Sequence, residues 1–154
     1  MAKATKPIPD GYHSVTPTLT IDGAAAAIEW YKKIFGATEL VRMPGPEGKL
    51  LHAEIRIGDS VVMLSDPFMD AKDPKALGGA SGGLMIYTDD VDSMFKRAVE
   101  GGAKVLMPLG DMFWGDRFGR ISDPFGHQWA LATHIEDLTP EEMQKRQEEA
   151  MRPK

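Results

Sequence analysis

The chain repeats itself. Leu64 and Leu131 are 67 residues apart, as are Leu19 and Ile86, while Ala37 and Ala103, each directly after a helix-ending glycine, are 66 apart. A shared offset of that size marks a duplicated supersecondary unit. Whatever the first half builds, the second must build again, so most fold classes drop out before any single motif is weighed.

The content of the unit follows from local periodicity. Residues 13–21 alternate Val15, Pro17, Leu19 and Ile21 against Ser14, Thr16, Thr18 and Thr20, as a strand does; Pro17 lacks a ladder donor and predicts an edge or bulge. Asp22-Gly23 then opens a helix with Ala24, Ala27, Ile28, Tyr31, Ile34 and Phe35 on one stripe, and Gly36 stops it. Ala37–Met43 reads as a strand, and Leu50–Asp66 as a hairpin turning at Gly58-Asp59. Residues 67–81 are rich in Pro, Gly and charge and read as a linker. The order then restarts. Gly83–Thr88 is a strand, Asp89 or Asp90 caps a helix with Val91, Met94, Phe95 and Ala98 as its stripe, and Gly101-Gly102 ends it. Lys104–Met107 is a strand, and Asp116–His134 is a second hairpin around Asp123-Pro124-Phe125-Gly126. The expected fold is α+β: two tandem βαβββ modules, residues 12–66 and 82–134, each with a curled mixed sheet. A short mobile arm, residues 1–11, precedes them. Thr139-Pro140-Glu141-Glu142 signals a capped helix over 139–151, charged nearly all round.

Composition then narrows the chemistry. The sequence contains no cysteine, which excludes disulfides, thiolate nucleophiles and cysteine-ligated zinc. Net charge is −5 with no Lys/Arg block, which argues against a nucleic-acid partner. No apolar run reaches the ~20 residues of a membrane span, and the amino terminus lacks the apolar core of a secretory signal. A cytoplasmic protein without a membrane partner is the expectation.

The paired βαβββ plan, the AIEWYKKIFG helix, the YHSVTP start, the HAE strand, and the WGDR and DPFGH segments together resemble the vicinal oxygen chelate superfamily, in particular its PhnB-like branch. That superfamily includes glyoxalase I, bleomycin-resistance proteins, fosfomycin-resistance enzymes and extradiol dioxygenases. The resemblance covers about residues 12–134. It implies that each module curls into a half-barrel, that the two form a cup, and that subunits pair as a homodimer. In metal-using members it implies a divalent ion held by side chains of the first and last strands, acting as a Lewis acid. The matching positions here are Thr16, Met63, Gly83 and Ala130. None of the four is a competent donor. No metal or other cofactor is therefore expected, unless a centre has moved to His52 and Glu54.

Alternation selects a lining instead. If Leu51, Ala53, Ile55 and Ile57 pack under helices, then His52, Glu54 and Arg56 face the cup, with Thr16, Met63, Met85, Tyr87, Phe118, Arg120 and Gln128. Phe113, Trp114 and Arg117, on a loop before the last hairpin, could close its mouth. An amphipathic lining with a few fixed polar groups suits a small-molecule ligand. Arg117 and Arg120 suit an anion or carboxylate; the plainer reading pairs them with Asp116, Asp123 or Glu54. His52 and Glu54, two residues apart on one strand face, form an acid–base pair or a hydrogen-bonded structural pair. His127 reads as a turn residue, and His13 and His134 as strand-end residues. Three functions stay open: a metal-free binder of a small amphipathic or aromatic ligand; a lyase, isomerase or dioxygenase working at His52 and Glu54; and an interaction module docking through its last helix.

Overall fold

Helix α1 (Ala24–Phe35) shows how each half is assembled. Its stripe of Ala24, Ala27, Ile28, Tyr31, Ile34 and Phe35 is buried, as the spacing requires. Large side chains such as Tyr31, Ile28 and Ile34 each contribute about 1.5–3 kcal/mol on burial. Gly36 ends the helix in the left-handed region at φ 68°. The structure is a computed structural model that describes residues 1–154.

The chain divides into two units, residues 1–79 and 80–154. In the first, strands β1 (Thr18–Thr20), β2 (Thr38–Pro44), β3 (Leu50–Ile57) and β4 (Ser60–Ser65) form a sheet of order β1-β4-β3-β2. Strand β1 runs parallel to β4 and the other neighbours are antiparallel. A short helix, α2 (Pro74–Leu77), follows. The second unit repeats the design with β5 (Gly83–Tyr87), helix α3 (Val91–Glu100), β6 (Lys104–Asp111), β7 (Asp116–Ser122) and β8 (Gln128–His134), in the order β5-β8-β7-β6. Again the first strand is parallel to the last. These are two βαβββ modules with open four-stranded mixed sheets, followed by helix α4 (Pro140–Ala150). No helix is long and apolar enough to cross a membrane.

Several boundaries move, each for a local reason. Strand β1 covers only three residues of the alternating stretch 13–21. Ladder pairing reaches back no further than Pro17, whose carbonyl accepts from the Met63 amide at 2.9 Å. The linker holds α2, started by Pro74 and capped by Asp73 on the Lys75 amide. Strand β6 runs on to Asp111, past Pro108, because it is an edge strand and can spare the donor. Leu51 is 40% exposed, whereas Leu50 is 4% exposed. A register shift between β2 and β3 opposite Met43 and Pro44 breaks the alternation there, so Leu50 enters the core in place of Leu51.

Both helices receive a cap from the end of their own sheet. Gly23 has no capping side chain, and the amides of Gly23 and Ala24 donate instead to Asp66 Oδ1 at 2.9 and 3.3 Å. Asp66 Oδ2 also accepts from the Leu50 amide at 2.7 Å. In the second unit Thr133 stands 67 residues on from Asp66. Its hydroxyl accepts from the Val91 amide at 3.0 Å and donates to the Thr88 carbonyl at 2.8 Å. Asp90 adds a cap on the Ser93 amide. Helix α4 carries the expected capping box between Thr139 and Glu142; it buries no residue and is tied down by Arg146 on both oxygens of Glu136.

Candidate functional site

In the first unit Ala53, Ile55 and Ile57 are buried on the helix side of β3, which sends His52, Glu54 and Arg56 to the other face. Glu54 lies opposite Met63 on β4, and Met63 opposite Thr18 on β1. Glu54 is 9% exposed and both of its carboxylate oxygens are engaged. His52 Nε2 donates to Oε1 at 2.9 Å, and the phenol of Tyr12 donates to Oε2. The hydrogen bond from His52, then that from Tyr12, hold the Glu54 carboxyl below its ordinary pKa of 4.5. The same bond to an anion raises the Tyr12 phenol.

Glu54 forms the floor of an open cavity of about 350 Å³. Tyr12, His13, Thr16 and Met63 stand around it, and Pro7, Ile8 and Pro9 of the amino-terminal arm complete a wall. Such a volume fits a small organic ligand. His52 backs Glu54 rather than lining the cavity. Arg56 lies beneath the arm, with a buried Nε that has no hydrogen-bond partner. Gly11 crosses it at φ +82°, where a Cβ would fall 2.8 Å from Arg56 Nη2. The left-handed backbone at this position favours glycine.

The second unit places polar groups in two clusters. Asp116 is 3% exposed and lies across the ladder from His134. It accepts from the Tyr87 phenol at 3.0 Å, the Trp114 indole at 3.1 Å and His134 Nδ1 at 2.8 Å. His134 Nε2 contacts Asp137 at 2.8 Å. The imidazole thus sits between two carboxylates, and the bond to Asp116 leads in raising its pKa above 6.5. Burial, then Asp116, raises the Tyr87 phenol. Trp114 also packs edge-on against Phe113 and Phe118. The second cluster is a depression of about 200 Å³ where Arg120 Nη2 donates to Gln128 Oε1 at 2.8 Å. Arg120 lies opposite Ala130, as Glu54 lies opposite Met63.

A family model described as the glyoxalase/bleomycin resistance protein/dioxygenase superfamily matches residues 13–131. The chain belongs to that superfamily. Protein Mb0911c of Mycobacterium bovis is 43% identical over 136 residues, covering 85% of this chain and 90% of its own. TioX from Micromonospora sp. ML1 superposes with a TM-score of 0.63 at 26% identity, over 82% of this chain and all of the other. A PhnB protein from Bacillus cereus, at 21% identity and TM-score 0.64, shares the fold over 79% of this chain and 99% of its own.

The metal-dependent members of this superfamily imply a divalent ion, and the residues present do not fit one. Thr16, just ahead of β1, and Met63, Gly83 and Ala130, on strands, occupy the corresponding positions, and they offer a hydroxyl and a thioether but no imidazole or carboxylate. No three His, Asp or Glu side chains converge on a point that could hold a metal. The oxygens of Glu54 are turned to His52 and Tyr12.

The residues singled out by sequence fall into four groups. Thr16, Glu54 and Met63 meet at one cavity, with His52 behind and Arg56 to the side. Arg120 and Gln128 meet at another. Tyr87, Trp114 and Phe118 gather around Asp116 or the Trp114 ring. Arg117 is on strand β7 rather than a loop, and it is clamped by Asp92 of α3 at 2.7 Å and Asp111 at 3.0 Å, not by Asp116, Asp123 or Glu54. Sequence reasoning missed Tyr12 and Asp116. Tyr12 opens the YHSVTP segment, but no spacing ties it to Glu54; the turn centred on Phe125 fixes the hairpin register and pairs Asp116 with His134.

Proposed function

We propose that this superfamily member is a metal-free binding protein for a small amphipathic or aromatic molecule, held in the cavity of its first unit. The observation that carries the reading is a buried, ionised Glu54 at the floor of a cavity of about 350 Å³ whose walls are largely apolar. An apolar body packs on Met63, Ile8 and the flanking prolines, and a donor group meets the oxygens of Tyr12 and Glu54. His52 keeps the carboxylate oriented. A rival acid–base enzyme draws on the same contacts, since a phenol and an imidazole on one carboxylate form a proton-sharing chain. We also propose a homodimer, supported by exposed Leu40, Val41 and Met43 on edge strand β2 and Val105, Leu106 and Met107 on edge strand β6.

The test is thermal stabilisation by a panel of small aromatic amines and phenols. A ligand at about 100 times its Kd should add about 2.7 kcal/mol. That gain should disappear in Glu54→Gln and Met63→Lys and survive EDTA. Loss of binding in EDTA would move the assignment to a relocated metal, and consumption of the ligand to the enzyme. Sedimentation at a mass near the single chain would remove the homodimer.

A further inference from the structure

The duplicated ladder sets one residue of each unit at the same place, opposite the middle of the last strand. In the first unit it is an acid, Glu54, and in the second a base, Arg120. The base is poorly matched by its surroundings. Arg42, Arg117 and Arg146 each hold at least one carboxylate at 3.0 Å or closer, whereas Arg120 has no carboxylate within ion-pair distance and donates to a neutral amide oxygen, Gln128 Oε1, at 2.8 Å. A guanidinium carries five donors in a planar fork suited to two oxygens at once. One of them is satisfied by a side chain that rotation can move aside.

An open depression of about 200 Å³ lies beside the guanidinium. Gly83 and Ala130 stand at its edge where the first unit has Thr16 and Met63, and both are smaller than their counterparts. These small residues line the depression of about 200 Å³ together with Leu84, Met85 and Arg120. The lining is therefore one cation and one neutral amide among small and apolar residues, with no acid to oppose an anion.

We infer that the second unit holds a binding site for a carboxylate attached to a small apolar body, with the carboxylate on Arg120 in the place of Gln128 Oε1. The lining belongs to the second unit alone, and the inference does not depend on the function proposed for the Glu54 cavity. An anion here gains a charge-assisted, two-point bond, and the apolar side chains favour an organic acid over a bare inorganic ion.

The test is amide chemical-shift titration of the full-length protein at low ionic strength, with sodium benzoate and, separately, inorganic phosphate. Benzoate should produce saturable shifts at Gly83, Gln128 and Ala130, with an affinity about tenfold above that for phosphate. Gln128→Glu supplies an internal carboxylate and should weaken benzoate about tenfold or more while the spectrum stays dispersed. Arg120→Met should do the same, and Arg146→Met, which removes an equal charge elsewhere, should not. Absence of saturation with benzoate, saturation that persists in Gln128→Glu and Arg120→Met, or phosphate bound as tightly as benzoate would each overturn the inference.

Discussion

The two units have the same backbone plan and answer it with different side chains. Each must cap a helix from the end of its last strand, and one uses the carboxylate of Asp66 while the other uses the hydroxyl of Thr133. Beneath the helix the first unit has Ile28 and Ala53 where the second has Phe95 and Gly119, a trade of volume from strand to helix. On the opposite face Glu54 in one becomes Arg120 in the other. The contrast separates two kinds of constraint. Where the backbone makes a demand, an orphan amide or a fixed gap, both copies meet it. Where the backbone makes no such demand, at Glu54 and Arg120, the two copies carry opposite charge.

The capping pair should show the largest effect. Asp66→Ala strands the amides of Gly23, Ala24 and Leu50 and should cost about 3 kcal/mol, read from urea unfolding. Thr133→Val strands fewer groups and should cost about 1–2 kcal/mol. Equal losses would show that the caps are interchangeable in strength as well as in role.

The volume trade comes next. A Cβ at position 119 would meet Phe95 Cε2 at 2.6 Å and press on the backbone of Leu109 and Met107 at 3.2 Å. Gly119→Ala should therefore destabilise by about 1–3 kcal/mol. Adding Phe95→Ile, which transplants the pair of the first unit, should recover part of that loss, and a double-mutant cycle measures how much. Additive effects would break the claimed compensation.

The smallest effects are electrostatic and run in opposite directions in the two units. Glu54 has a lowered pKa, so its contribution is present above 4.5 and is lost as pH falls through the folded value. His134 has a raised pKa, so its contribution is complete below 6.5 and is lost as pH rises through the folded value. The imidazole is well exposed and solvent screening keeps its effect small. Proton NMR titration of His134 should show the raised pKa, and Asp116→Asn should bring it back toward 6.5.

The duplication, the helix stripes and the hairpins were legible because they are periodic, and period is what a sequence displays directly. The buried set of α1 is the apolar stripe residue for residue. What escaped were contacts across a distance. The cap from Asp66 and the phenol of Tyr12 on Glu54 join residues more than forty positions apart, and no spacing rule connects them. The phase slip at Leu50 and Leu51 was hidden for another reason: it arises from the strand partner, not from the strand itself. His52, Glu54, Thr16 and Met63 were reachable from alternation alone, whereas the wall contributed by Pro7–Pro9 lies in a stretch with no periodic signal.

That wall has a practical side. Because Pro7, Ile8 and Pro9 border the cavity and Tyr12 grips its floor, residues 7–12 form one side of the proposed binding surface. Deletion or replacement of residues 1–9 would rewrite one side of the cavity while leaving the sheet untouched. A handle placed after Lys154, beyond a helix that buries nothing, would not. Under the proposed function, preparations that differ only in residues 1–9 should differ in ligand affinity, even when their melting curves coincide.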